Sequence, residues 1–563
     1  MIQKKLSKLL RQDSKPSGKN RSRCTLALAD PAKNVFKLIY MEIQIFLSLL
    51  FITFVHVRGE MNTWPQWRGP ARDGQGINNL SLIENIENQP PQKIWESEKI
   101  PSQEDGGFGS VISDGERAFI SVVWHRDEPT KERILNSLVM RKLGLRNVNL
   151  PKSIREKHEQ DRLELSPRLR GSKLDSWIEQ WIKNNLTQKQ KMTQGSLIAA
   201  RFKQGKLAMP LEVIDKVSKI KDRVFPSQEA WDSWLKNQSF PAKFVEEFSQ
   251  GVPPTKRMAD DVILALDMKS GDQIWKTKLS GVPAGRASSS TPCLAQGKIF
   301  AVGGDRLFCV KAKDGELLWE TGLGSQAIAS SPLYYMGKVY VLANTLRAFD
   351  SESGNQIWEN SSVRGKSGSP VLWFNTWQVS IVCNSSKTTF CVNPQSGETL
   401  WEGPGGGAST PAVSGDLLVI HGKTEDIGLV CYQAKKSGIN EKWKCPKLTR
   451  RTDSSPLIDE NNALLFGAGM RLCINLGTGK VLRKVPAKHD ISSPILVGKK
   501  VLAYEINGSF LTSVPANPEY FRSEQKFKIN ALKCTSPSIV GTKLLIRKAD
   551  GIACYEMGQI KPN

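Results

Sequence analysis

The stretch ALDMKSGDQIW, from Ala265 to Trp275, decides the reading of this chain, because its skeleton of small residue, acidic or polar residue, Gly and Trp returns downstream. CVKAKDGELLW (Cys309 to Trp319), AFDSESGNQIW (Ala348 to Trp358) and CVNPQSGETLW (Cys391 to Trp401) keep its register. CYQAKKSGINEKW (Cys431 to Trp443) is longer by two residues, and CINLGTGKVLR (Cys473 to Arg483) keeps everything except the Trp. A second signature, Ser/Thr-Pro, recurs at Thr291, Ser331, Ser369, Thr410, Ser455, Ser493 and Ser536. The period is about 40 residues, with several short β-branched and aromatic runs per unit, which is how four-stranded propeller blades look in sequence. The expected fold is therefore all-β.

Each repeated residue has a structural job. Asp267 and Asp350 can accept hydrogen bonds from the backbone of their own turns, and Gly271, Gly315, Gly354 and Gly397 supply the positive φ that closes those turns. The flat indoles of Trp275, Trp319, Trp358, Trp401 and Trp443, each with a single N–H donor, suit the wedge between neighbouring blades. Arg483 stands where a Trp is expected, which predicts a looser blade.

These repeats resemble the tryptophan-docking repeats of pyrroloquinoline quinone (PQQ) dehydrogenases and of the propeller lipoprotein of bacterial outer-membrane protein assembly. The resemblance covers most of Trp64 to Met557. WPQWRGPARDGQG, from Trp64 to Gly76, is similar to the opening of secreted bacterial proteins built on the same PQQ-like propeller. The resemblance implies the fold and leaves function open, since docking repeats serve enzymes and non-enzymatic scaffolds alike.

Counting strands gives eight blades. KIWES, from Lys93 to Ser97, reads as an outer strand without a blade, while the segment from Thr535 to Tyr555 reads as a blade without its outer strand. Pairing the two closes a ring and removes exposed sheet edges. Blade one holds inner strands at Gly109 to Val123 and resumes at Val262 to Leu279. The interruption, residues 125–257, loses the repeat and gains helical spacing: Leu174, Trp177, Ile178, Trp181 and Ile182 share one face, as do Val213, Val217 and Ile220, and Ala230, Trp231, Trp234 and Leu235. The expected organisation is a basic leader over residues 1–60, the closing strand and first half of blade one over 61–124, a helical insertion over 125–257, and the rest of the propeller over 258–563.

The 563 residues carry a net charge of +24, an excess concentrated in the leader and the insertion, and a chain this basic is expected to meet phosphates, anionic lipids or acidic polymers. Ile43 to Val57 is an apolar run of about 15 residues, short of the roughly 20 of a membrane span, so it suits a signal-peptide core. An exported, periplasmic or cell-envelope location follows, with membrane contact through residues 36–57 if the leader stays on. Met41 is an alternative start.

Catalytic chemistry is hard to place. Cys309, Cys391, Cys431, Cys473 and Cys554 occupy the repeat position held elsewhere by Ala265 and Ala348, so they read as small buried residues rather than as a disulfide framework. The five histidines are far apart with no metal-ligand spacing. No CxxCH haem motif, P-loop, dinucleotide fingerprint or nucleophile triad is present, and no stretch matches the calcium or base motifs that a PQQ site with Ca²⁺ needs.

One constellation remains. Just before the Ser/Thr-Pro pairs, where the chain crosses between blades, stand Arg286, Arg364 and Lys366, Arg450 and Arg451, Lys488 and His489, and Lys533. In a closed propeller these crossings lie on one face around the channel, so the cations would focus positive potential on its mouth. The sequence thus favours a non-enzymatic, monomeric scaffold that binds a protein or an acidic polymer, with a PQQ-dependent oxidoreductase as the alternative. Nucleic acid is not an expected partner, because no aromatic-rich basic motif accompanies the charge.

Overall fold

The computed structural model describes residues 62–76, 80–100, 107–283, 290–324, 329–423, 426–446, 454–467, 469–489 and 492–558. The leader with its apolar run, and Arg286, Arg450 and Arg451, lie outside these residues.

The unit from Met61 onward is mostly β and propeller-like. Among the described residues, eight antiparallel sheets of three or four strands follow one another along the chain. The second sheet shows why the sequence builds them. Its two middle strands, Lys298–Val302 and Arg306–Lys311, are β-branched and aromatic runs buried on both faces, while in the outer strand Leu317–Gly322 only Trp319 is buried. Middle strands are covered by a sheet on either side and so read as continuous apolar runs; outer strands are covered at one point. In the third sheet Lys338–Asp350 runs uninterrupted through Asn344, at φ 65°.

The eighth sheet takes its outer strand from the other end of the chain. Gln92–Glu96 pairs antiparallel with Ile552–Glu556, with Trp95 opposite Cys554. The first sheet has a different departure. Its middle strands, Arg117–Pro129 and Thr255–Asp267, stay paired out to Pro129 and Thr255, several residues past the point where the repeat pattern stops. The extension is polar and falls within the stretch expected as helical insertion, yet it is strand, held by ladder hydrogen bonds and by Arg126, which pairs with Asp260 at 2.8 Å and with Glu128.

Beyond this ribbon lie seven α-helices, from Ser137–Lys142 to Ala242–Gly251. Trp181 and Ile178 of the helix Ser172–Asn185 are buried, together with Phe202, Val217, Trp231 and Leu235, in a hydrophobic cluster separate from those of the large sheets. Thr187 and Gln190 cap the helix Gln188–Gln204 reciprocally, and Ser227 caps Gln228–Lys236. Among the described residues no helix is long and apolar enough to cross a membrane. Cys309, Cys391, Cys431, Cys473 and Cys554 are all fully buried, and the nine described cysteines are free thiols.

Candidate functional site

The first strand of each sheet leaves an unpaired edge toward the interior, and buried backbone groups there need partners. Ser/Thr side chains supply the first set. The backbone N–H of Ser110 donates to Oγ1 of Thr291 at 2.9 Å, Thr291 to Ser331 at 3.0 Å and Ser331 to Ser369 at 3.1 Å. Thr410 donates to Ser455, Ser455 to Ser493, Ser493 to Ser536 and Ser536 back to Ser110, at 2.9 to 3.1 Å. Ser110 therefore completes the set although Val111, not Pro, follows it.

The second set of partners is the segment Trp64 to Gly76. Trp64 exchanges backbone hydrogen bonds with Ser113, and Pro65 O accepts from Leu294 N. Trp67 Nε1 donates to Thr410 Oγ1 at 3.0 Å. Arg72, 1% exposed, donates to the carbonyls of Ser331 at 3.1 Å, Pro370 at 3.0 Å and Pro332, while Arg68, 2% exposed, donates to Pro456 O. Gln75 Nε2 reaches Ile458 O at 2.9 Å, and Gly74 and Gly76 pair with Leu496. One short segment thus joins the inner edges of seven sheets. A guanidinium suits the position because its five N–H groups fork toward several carbonyls at once. Burial lowers both arginines to about 10.

Between sheets, the repeat residues meet as wedge and socket. The indole N–H of Trp275 donates to Ala312 O at 3.2 Å, that of Trp319 to Ser351 O at 3.1 Å, that of Trp358 to Pro394 O at 3.2 Å and that of Trp443 to Leu476 O at 2.8 Å. Each ring also lies on the turn glycine of the next sheet: a Cβ on Gly315, Gly354 or Gly397 would come within 2.6 Å of Trp275, Trp319 or Trp358. Those glycines have φ of 78°, 73° and 77°. Asp267 accepts from Lys269 N and Ser270 N, and Asp350 from Glu352 N and Ser353 N. Trp401 instead packs edge-on against Tyr432, 4.8 Å between centroids, next to the repeat lengthened by two residues. The same wedge joins the eighth sheet to the first, where Trp95 donates to Met268 O at 3.0 Å and lies on Gly271.

The cations expected at a mouth divide. Arg364, Lys366 and Lys488 are exposed, with Arg364 Nε on Ser361 O at 3.1 Å. Lys488 and half-buried Lys533 line one small pocket with Ser492, Tyr504, Asn507, Gly508 and Cys534. His489 corrects the expectation: it is 2% exposed, its Nδ1 lies 3.2 Å from Tyr504 O, and burial lowers its pKa, so it adds no surface charge. Beside it the fold gathers residues that spacing could not connect. His489, Glu505 and Glu524 place ligand-type atoms within 4.8 Å of one another. Lys526 pairs with Glu505 at 2.7 Å and with Glu524 at 3.3 Å, and Arg471 pairs with Glu524 at 2.7 Å.

Other buried charges are spent structurally. Glu159 in the helical region accepts from Arg162, Arg201 and Leu211 N, and against the cost of burial His158, Arg162 and Arg201 hold its pKa well below the usual carboxylate range. Asp260 is similarly engaged by Arg126, Lys278 and Gly281 N.

The family model described as outer membrane protein assembly factor BamB matches residues 259–446 and 343–519. No curated protein matches the chain. Similar solved structures include BamB from Moraxella catarrhalis, at 14% identity over 54% of this chain and 90% of that one, with a TM-score of 0.43. A europium-containing methanol dehydrogenase follows at 12% identity, 53% and 82% coverage and a TM-score of 0.39. A quinohemoprotein alcohol dehydrogenase from Comamonas testosteroni has 10% identity, 54% and 74% coverage and a TM-score of 0.37. With the docking tryptophans, their glycine sockets and the matched repeats all falling in one register, residues 259–519 carry the repeats of the PQQ-like propeller family.

Proposed function

We propose that this chain is an exported, eight-bladed PQQ-like propeller that acts as a binding scaffold for a protein or an acidic polymer. The observation that carries this reading is the segment Trp64 to Gly76, whose buried Arg68 and Arg72 are committed to the inner-strand carbonyls. The centre where a quinoprotein would hold PQQ is thereby taken up by the chain's own side chains. The eight sheets are then eight blades, with Gln92–Glu96 completing the last. Residues 1–60 are a leader, cleaved or kept as an anchor; 61–124 hold the plug, closing strand and half of blade one; 125–257 form a helical insertion; and 258–563 complete the ring.

The binding surface is the face of the blade crossings, with Arg364, Lys366, Lys488 and Lys533 on it, and the sequence assigns Arg286, Arg450 and Arg451 to crossings of the same kind. The helical insertion leaves blade one between its second and third strands, on the side of those crossings, and adds a second contact surface. The name of the matched family, an outer membrane protein assembly factor, favours a protein partner in the cell envelope.

The test is a titration of the full chain with polyglutamate, and separately with PQQ plus Ca²⁺, at rising salt. The scaffold reading expects polyglutamate binding that weakens with ionic strength, since exposed charges are screened over about 10 Å at 0.1 M. It also expects that binding to fall at least tenfold in the combined variant Arg364→Glu, Lys366→Glu, Arg450→Glu, and not in Lys216→Glu, Lys219→Glu of the insertion. Dye reduction dependent on PQQ and Ca²⁺ would replace this reading with the oxidoreductase.

A further inference from the structure

We propose that His489, Glu505 and Glu524 form a site for one divalent transition-metal ion, which clasps the sixth sheet to the seventh. This boundary lacks the wedge that Trp275, Trp319, Trp358, Trp443 and Trp95 form, because Arg483 replaces the docking Trp, and its Nη1 turns back to Leu482 O. Polar groups meet there instead. Arg471 and His489 come from the sixth sheet and the crossing after it, and Glu505, Glu524 and Lys526 belong to the seventh or its approach.

The tautomer of His489 gives the argument its direction. A carbonyl only accepts, so Nδ1, at 3.2 Å from Tyr504 O, carries the proton and Nε2 presents a bare lone pair. Nε2 has no hydrogen-bond partner although His489 is 2% exposed. It lies 3.5 Å from Glu505 Oε1, with a Glu524 oxygen within 4.8 Å. A lone pair facing two carboxylates is favourable only with a cation among the three, a place that Lys526 now fills in part by bridging the carboxylates without reaching the imidazole within hydrogen-bond distance. Two ligand atoms each about 2.1 Å from one metal stand about 3.4 Å apart in a tetrahedral site, close to the 3.5 Å between His489 Nε2 and Glu505 Oε1. The backbone carbonyl on Nδ1 is also the partner that commonly orients a metal-binding imidazole.

Lys526 is the resident competitor. Its ammonium bridges the two carboxylates, but its side chain is 37% exposed, so the solvent side of the cluster is closed by this one side chain, which an entering ion would displace. Arg471 would stay on Glu524. One imidazole nitrogen and two carboxylates suit Zn²⁺, Mn²⁺ or Fe²⁺, whereas Ca²⁺ prefers six to eight oxygens.

The experiment uses the full chain, stripped with EDTA and titrated calorimetrically with ZnCl₂, MnCl₂ and CaCl₂. One Zn²⁺ or Mn²⁺ per chain is expected, bound at least tenfold more tightly than Ca²⁺. Lys526→Met, which removes the competing ammonium, should tighten binding about tenfold, and His489→Gln or Glu524→Gln should weaken it at least tenfold. Glu524→Gln keeps an acceptor for Arg471, so its fold is retained and can be verified by circular dichroism. Absence of one-to-one binding in both the native chain and Lys526→Met would overturn the proposal, as would an affinity unchanged in the folded Glu524→Gln variant.

Discussion

A Cβ on Gly354 would stand 2.5 Å from the Trp319 ring, in a backbone conformation at φ 73° that already disfavours any other residue. Trp319→Ala should cost about 3 to 5 kcal/mol in urea unfolding, the range for truncating a buried Trp, and Trp95→Ala should cost a similar amount because its ring makes the same contact at the join of the chain's two ends. A second prediction concerns His421, which is fully buried with Nδ1 at 3.1 Å from Ser454 O; burial lowers its pKa to about 4. The unfolded chain, near 6.5, takes up the proton first as pH falls. Stability from this residue is therefore complete above about pH 6.5, declines by about 3 kcal/mol toward pH 4, and is flat below. Replacing His421 with Asn should flatten that part of the stability curve measured by denaturant titration. Single residues were only partly legible beforehand. Trp319 and Gly354 announce themselves by recurrence, whereas Ser110 lacks the Pro that marks its counterparts, and His489, Glu505 and Glu524 meet only because two sheets adjoin.

At the scale of elements, the paired strands ending at Pro129 and Thr255 hold the helical region at the tip of a ribbon, and its apolar cluster is its own. Replacing residues 130–254 with a short Gly/Ser turn should leave a protein that unfolds cooperatively at a temperature within a few degrees of the parent, as calorimetry can show. Insoluble product would mean that Trp177, Trp181, Trp231 and Trp234 are needed by the sheets. The segment Trp64 to Gly76 should behave in the opposite way. Arg72→Met strips hydrogen bonds from three buried carbonyls, Ser331, Pro332 and Pro370, and should cost several kcal/mol, since a buried polar group without a partner costs about 1 to 3. The helices were readable because their Trp and Leu stripes follow the helical period. The ribbon was not, because His125 to Glu128 are polar and backbone pairing leaves no mark on side-chain pattern. The opening segment was recognisable as a motif, but its place could not be read from sequence, for an interior lined by backbone carbonyls has no residue signature.

For the molecule as a whole, deleting residues 61–100 removes both the central segment and the outer strand of the eighth sheet, and should abolish cooperative unfolding; a truncated chain that melts as sharply and as hot as the parent would refute closure by Gln92–Glu96. That pairing joins a strand near the start of the chain to one near its end. A ribosome adding about 5 to 20 residues per second needs roughly half a minute to a minute and a half to make the intervening stretch, and export in the same direction would prolong the wait. During that interval Gln92–Glu96 has no strand to pair with, so nothing fixes Trp95 on the first sheet, and Arg68 waits for its carbonyl until Pro456 is made. Its last-made strand, Ile552–Glu556, thus times the maturation of its first: a nascent chain stalled before residue 552 should remain protease-sensitive near Trp95 and should recruit chaperones, however many sheets it has already completed.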